Sequence, residues 1–163
     1  LLGPWRKSEQ IVPSTFRQPN APDPRPLIIN GASDQSAEIR LAVRGLARSD
    51  KDLNAASLLG IVARQRWEKL SPENARRPLF VRHEAHVLPG MFVMGASVDT
   101  LLVAKALTQV REVMQSLMLV PATVDALARA QAELNAQVAK DLARPEGIAR
   151  LWLDADTFGL QDR

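Results

Sequence analysis

Between residues 33 and 70 the spacing of apolar side chains changes from every second residue to every third or fourth, within a few positions. From Ser36 to Gly45, Ala37, Ile39, Leu41 and Val43 alternate with Glu38, Arg40, Ala42 and Arg44. That alternation fits a strand with one face on a core and the other polar. Further on, Ala56, Leu59, Ala63, Trp67 and Leu70 fall on one helical face, and Asp50 and Asp52 stand where acidic side chains favour a helix start. The spacing predicts a helix over about 51–70, with Gly60 inside it where the helix packs closely on a neighbour. A half-apolar strand followed at once by a one-sided helix can bury both stripes by laying helix on sheet, which sets the expected class as α+β.

The remaining segments extend the scheme. Residues 1–26 carry six prolines, which suit an extended connector with Trp5 and Phe16 as anchors, and leave 27–163 as a single α+β domain. Leu27, Ile28 and Ile29 read as a short strand closed by the turn pair Asn30–Gly31. After a break at Ser71–Asn74, alternation resumes from Leu79 to Val87. A Pro89–Gly90 turn then sends the chain back through Met91–Val98, making a hairpin whose return strand is apolar on both faces and so interior. About four strands of a mostly antiparallel sheet are expected, with helices packed on one face. A helix over about 100–119 shows Val103, Leu107, Val110, Met114 and Leu117 on one side and Lys105, Thr108, Gln109, Glu112 and Gln115 on the other. Pro121 stops it, Thr123 caps a second helix running to about Leu142, and Pro145 opens a third containing Ile148, Leu151, Trp152 and Phe158.

Charge and composition narrow the function. A net charge of +3 raises the question of nucleic acid, yet the 21 Lys and Arg are interleaved with 18 Asp and Glu along every element. With no Tyr, three Trp and four Phe there is also little for bases to stack on, so no nucleic-acid partner is expected. No apolar run approaches the roughly 20 residues of a membrane span. Cysteine is absent, which removes disulfides and thiolate zinc sites. The chain opens on Leu1 without a leader and reads as a fragment truncated on its N-terminal side.

The chemically suggestive cluster is Arg82-His83-Glu84-Ala85-His86. On a strand, residues three apart point to opposite faces, so His83 and His86 do not converge on one ion, and a catalytic zinc takes three protein ligands. No Gly-x-Ser-x-Gly elbow and no Gly-rich phosphate loop occurs. The expected assignment is no catalytic residue and no metal ligand in this chain, hence no catalysis by this domain alone.

Gln35 before the strand of Ile39, Leu41 and Val43, the turn Gly45-x-x-Arg48-x-Asp50 and the Leu/Ala-rich run from Leu53 to Leu59 resemble a known pattern. It is that of the C-terminal, non-catalytic half of the zinc metallopeptidases related to pitrilysin, insulinase and the mitochondrial processing peptidase. The later elements follow in the same order over nearly the whole chain, and Gly3-Pro4-Trp5 matches the start of the link between strands. The active members carry His-x-x-Glu-His, whereas here the order is His83-Glu84-Ala85-His86. They also hold substrate with a Leu-Arg pair and a Tyr. The matching positions here are Leu70-Ser71 and Phe80-Val81, with Arg76, Arg77 or Arg82 as substitutes for the missing Arg.

The resemblance implies a chamber-forming domain that supports peptide cleavage by a zinc-bearing catalytic half, in the same chain or in a separate subunit. No cofactor is expected in this fragment, since the zinc belongs to that other half, and the partners are the catalytic half and a peptide substrate. The polar sheet face would line the chamber, with Arg40, Arg44, Arg82, Glu84 and His86 as candidate wall residues and a positive bias suited to acidic or extended peptides. Similar bacterial proteins imply the periplasm. The resemblance also admits a degenerate half kept as a scaffold or assembly domain without proteolysis. An unrelated α+β binding module is the third reading.

Overall fold

The computed structural model describes residue 20 and residues 26–29, 35–70 and 79–160. Strand β1 (Ser36–Arg44) leads through a turn into helix α1 (Leu53–Leu70); β2 (Phe80–Glu84) and β3 (Met91–Asp99) form a hairpin. A single 3-10 turn (Thr100–Leu102) then joins β3 to α2 (Val103–Leu119), followed by α3 (Val124–Leu142) and α4 (Pro145–Phe158). The class is α+β, as the alternating and helical periods require.

The sheet is antiparallel in the order β1-β3-β2, so the return strand of the hairpin is the central one. β3 pairs along its whole length with β1, from Ser36 opposite Asp99 to Arg44 opposite Met91, and with β2 from Phe80 opposite Gly95 to Glu84 opposite Met91. Because successive side chains alternate, this register puts Ile39, Phe92, Met94, Ala96, Val98 and Val81 on one face. Helices α1 and α2 cover that face, and Trp67, Ala63, Ala106, Val110 and Val113 complete the core. Trp67 and Val113 are wholly buried, and among the described residues the indole N–H of Trp67 has no hydrogen-bond partner, so Trp67 contributes through packing.

Three features differ from the sequence reading. Leu27, Ile28 and Ile29 are not a strand; they lie outside any regular element at about four-fifths exposure, so the described residues hold three strands. Three apolar residues cannot hold a strand without a ladder partner. The face of α2 that is buried centres on Ala106, Val110 and Val113, while Leu107 is exposed and Gln109, placed on the polar side from spacing, is buried. The reason is local: Gln109 Nε2 donates to the carbonyl oxygen of Leu70 at 2.9 Å, satisfying one of the free carbonyls at the end of α1. Finally, α1 begins at Leu53, and Asp50 and Asp52 stand ahead of it, Asp50 accepting from Asp52 N–H at 2.9 Å. Gly60 is buried in α1, yet a Cβ there would meet its nearest neighbour, Val81 O, at an ordinary 3.7 Å, so the packing does not require glycine.

Two ends match the capping chemistry. Thr123 Oγ1 accepts from Ala126 N–H at 3.2 Å, and Pro145 opens α4. The expected anchors Trp5 and Phe16, the connector that holds them and the break over 71–78 lie outside the described residues.

Candidate functional site

Among the described residues, no helix packs on the second face of the sheet. Alternation carries Glu38, Arg40, Ala42 and Arg44 of β1, Met91, Val93, Gly95 and Ser97 of β3, and Phe80, Arg82 and Glu84 of β2 onto it. Across its middle, Arg40, Gly95 and Phe80 are in register. Gly95 supplies the space for the aromatic ring: a Cβ at that position would lie 2.3 Å from Phe80 Cζ, so the ring rests directly on the backbone of the central strand. The Arg82 guanidinium stands 5.1 Å and that of Arg40 6.0 Å from the ring centroid, within the range of cation–π attraction. Phe80 is thus flanked by two cations on a platform one residue deep.

Each guanidinium also has a carboxylate two residues away on its own strand. Arg40 Nη2 lies 3.0 Å from Glu38 and Arg82 Nε 2.6 Å from Glu84. Both arginines are about 60% exposed, so the pairs orient the side chains more than they stabilise the fold. The positive bias expected of this face is therefore largely offset by Glu38 and Glu84. What the face offers is a run of alternating charges around one ring. Beneath it, Val93 lies between Ala42 and Arg82 in register and is buried.

Four of the five wall candidates, Arg40, Arg44, Arg82 and Glu84, share this face. His86 does not, because β2 ends at Glu84, three residues before the expected Val87. Its side chain is exposed, while its carbonyl oxygen accepts from Arg48 N–H at 2.8 Å. His83 sits on the opposite, helix-covered side, where Nε2 accepts from Leu46 N–H at 2.8 Å. Burial lowers its pKa, and the nearby Asp50 carboxylate only partly counters this. The Nε2 lone pair is thus committed to a backbone amide. Arg76 and Arg77 lie outside the described residues.

Phe80 was not among the wall candidates, although it occupies the position matched to the family's Tyr. Two signals in the sequence point to it: Phe80 alternates with Arg82 and Glu84, and Gly95 stands inside a strand, which marks a close approach. Only the register shows that ring and glycine coincide. A second charged group lies between α1 and α3, where Arg64 pairs with Glu68 and Glu133, each at 2.6 Å. Burial opposes the charge of Arg64, and the two carboxylates outweigh it, so its pKa is raised. This cluster joins two helices.

Compared with protein-family models and with curated protein sequences, the chain matches none.

Proposed function

We propose that this domain is the non-catalytic, chamber-forming half of a zinc-dependent metallopeptidase of the pitrilysin type. In this reading it binds and orients peptide for a His-x-x-Glu-His half located elsewhere. The observation that carries the reading is the division of labour across the sheet. One face is sealed by α1 and α2, and the other is an open, charge-alternating wall with Phe80 at its centre. An extended peptide laid on such a wall meets guanidinium donors, carboxylate acceptors and an aromatic surface at strand spacing. The wall contributes by positioning the chain, while the bond is broken by groups on the partner half. The order strand, helix, hairpin and three helices is also the order that the resemblance implies.

The test is reconstitution with the His-x-x-Glu-His polypeptide encoded in the same or a neighbouring reading frame, following cleavage of a fluorogenic peptide. Cleavage that depends on this domain, with a higher KM for Phe80→Ala, is the expected result. A rate unchanged by adding the domain would overturn the proposal.

A second reading, a peptidase-like scaffold without proteolysis, is favoured by a different observation. Met118, Leu119, Val124, Trp152 and Leu153 are all more than two-thirds exposed, an unusual amount of apolar surface at the α2–α3 corner and on α4. Stable association with a larger partner that leaves peptide cleavage unaltered would favour it.

A further inference from the structure

The turn after β1 is held by an imidazole. Leu46 N–H donates to His83 Nε2, and Gly45 presses so close that a Cβ there would lie 2.6 Å from the same nitrogen. A neutral imidazole accepting through Nε2 carries its proton on Nδ1. A second proton turns the acceptor into a donor aimed at another donor, and the Leu46 amide loses its partner. The same turn carries Arg48, whose N–H donates to His86 O and whose guanidinium forms an ion pair with Asp154 of α4. Helix α4 needs such a tie, because it packs on α3 without any fully buried residue of its own.

The ionisable groups on the elements around His83 are Arg44 at the end of β1, Arg48 and Asp50 in the turn, Lys51 and Asp52 before α1, Arg64, Arg66, Glu68 and Lys69 on α1, Arg82 and Glu84 in β2, and His86 just after it. From β3 the register partner is Phe92, which cannot titrate. Asp50 favours the protonated form and burial disfavours it, burial being the larger effect.

We propose that His83 is an acid-sensitive latch: neutral, it holds the Leu46 amide in the 45–50 turn and with it the setting of Arg48 against Asp154; protonated, it frees that amide and weakens the docking of α4. Three backbone bonds, Gly45 N–H to Gly90 O, Gly90 N–H to Leu46 O and Arg48 N–H to His86 O, do not titrate and keep the turn attached to the hairpin. Release therefore loosens α4 while the sheet stays intact. The surface that changes is the one where Trp152 and Leu153 already face solvent. This device does not depend on the peptidase reading.

The experiment is hydrogen exchange of the full chain between about pH 7.5 and 5. Rates are corrected for intrinsic exchange, with the His83 titration followed in the same range through its imidazole ¹⁵N shifts. The expected result is a rise of about fivefold in the opening of α4 that tracks the His83 titration, the loss of one ordinary hydrogen bond, with α1 unchanged. His83→Gln, which cannot titrate, should abolish the pH dependence, and His86→Gln should keep it. Arg48→Gln should raise the opening of α4 a few-fold at every pH, by about what one part-exposed ion pair contributes. Exchange in α4 that stays flat through the His83 titration would overturn the proposal, as would an equal rise in α1 and α4 or the same profile in His83→Gln. If His83→Gln does not fold, the paired titration of the unaltered chain decides.

Discussion

The sheet with α1 and α2, and the pair α3 and α4, are built on different physics. The first region buries Trp67, Met94, Val98, Val110 and Val113 almost completely, whereas α3 buries one residue, Ala130, and every residue of α4 keeps some exposure. The second region joins the first through the packing of α3 on α1 and through polar ties, Arg64 to Glu133 and Arg48 to Asp154. Apolar burial is cooperative because each side chain packs against several others, while an ion pair at a part-exposed site contributes little beyond orientation. Global stability should thus reside in the sheet layer, and local opening in α3 and α4.

The largest expected effect tests the core side of that contrast. Trp67→Ala removes the largest buried side chain and should cost about 3–5 kcal/mol in denaturant unfolding. Trp152→Ala, at 71% exposure, should change the same measurement by less than about 0.5 kcal/mol. A comparable loss at Trp152 would break the comparison, since it would place a core contact on α4. Next is Gly95→Ala, which forces the Phe80 ring off the central strand and should cost about 1–2 kcal/mol. Adding Phe80→Ala should recover part of it if the clash is the cause.

Thr123→Ala should cost about 1 kcal/mol, read as faster amide exchange at the start of α3 with β3 unaffected. Equal acceleration in β3 would show that the two regions open together.

The pH dependence acts at the junction. His83 has a folded pKa below the ordinary imidazole value near 6.5, so its contribution is present above that value and is lost as pH falls through the lower folded pKa. Protection of α4 amides followed downward from neutral pH should therefore decline, and His83→Gln should lessen the slope. The smallest effect has the opposite sign. Gly60→Ala has room for its Cβ and gains helix propensity, so it should stabilise α1 by up to about 1 kcal/mol. A loss there would mean that α1 and β2 lie closer than 3.7 Å implies.

Much of this was legible before any coordinates. The alternation of Ile39 and Leu41 with Arg40 and Arg44 identified both the strand and its polar face, because a pleated strand admits only one assignment of sides. Thr123 and Pro145 marked helix starts through side-chain and backbone chemistry that acts within a few residues. Where the reading failed, a partner distant in the chain decided. Gln109 is buried because Leu70, 39 residues earlier, presents a free carbonyl. His86 leaves the wall because pairing with β3 ends at Glu84 opposite Met91.

By itself the sequence determined the α+β class, the interior position of β3, the sealed and open faces of β1, and the starts of α3 and α4. Each of these follows from periodicity or from groups close together along the chain. Only the tertiary structure decided that Phe80 lies on Gly95 between Arg40 and Arg82, and that Glu38 and Glu84 offset their charges. It also decided that His83 accepts from Leu46 and that Arg48 reaches Asp154. Those contacts join residues up to 106 apart in the chain, and their geometry is set by strand register and helix docking, which local periodicity does not encode.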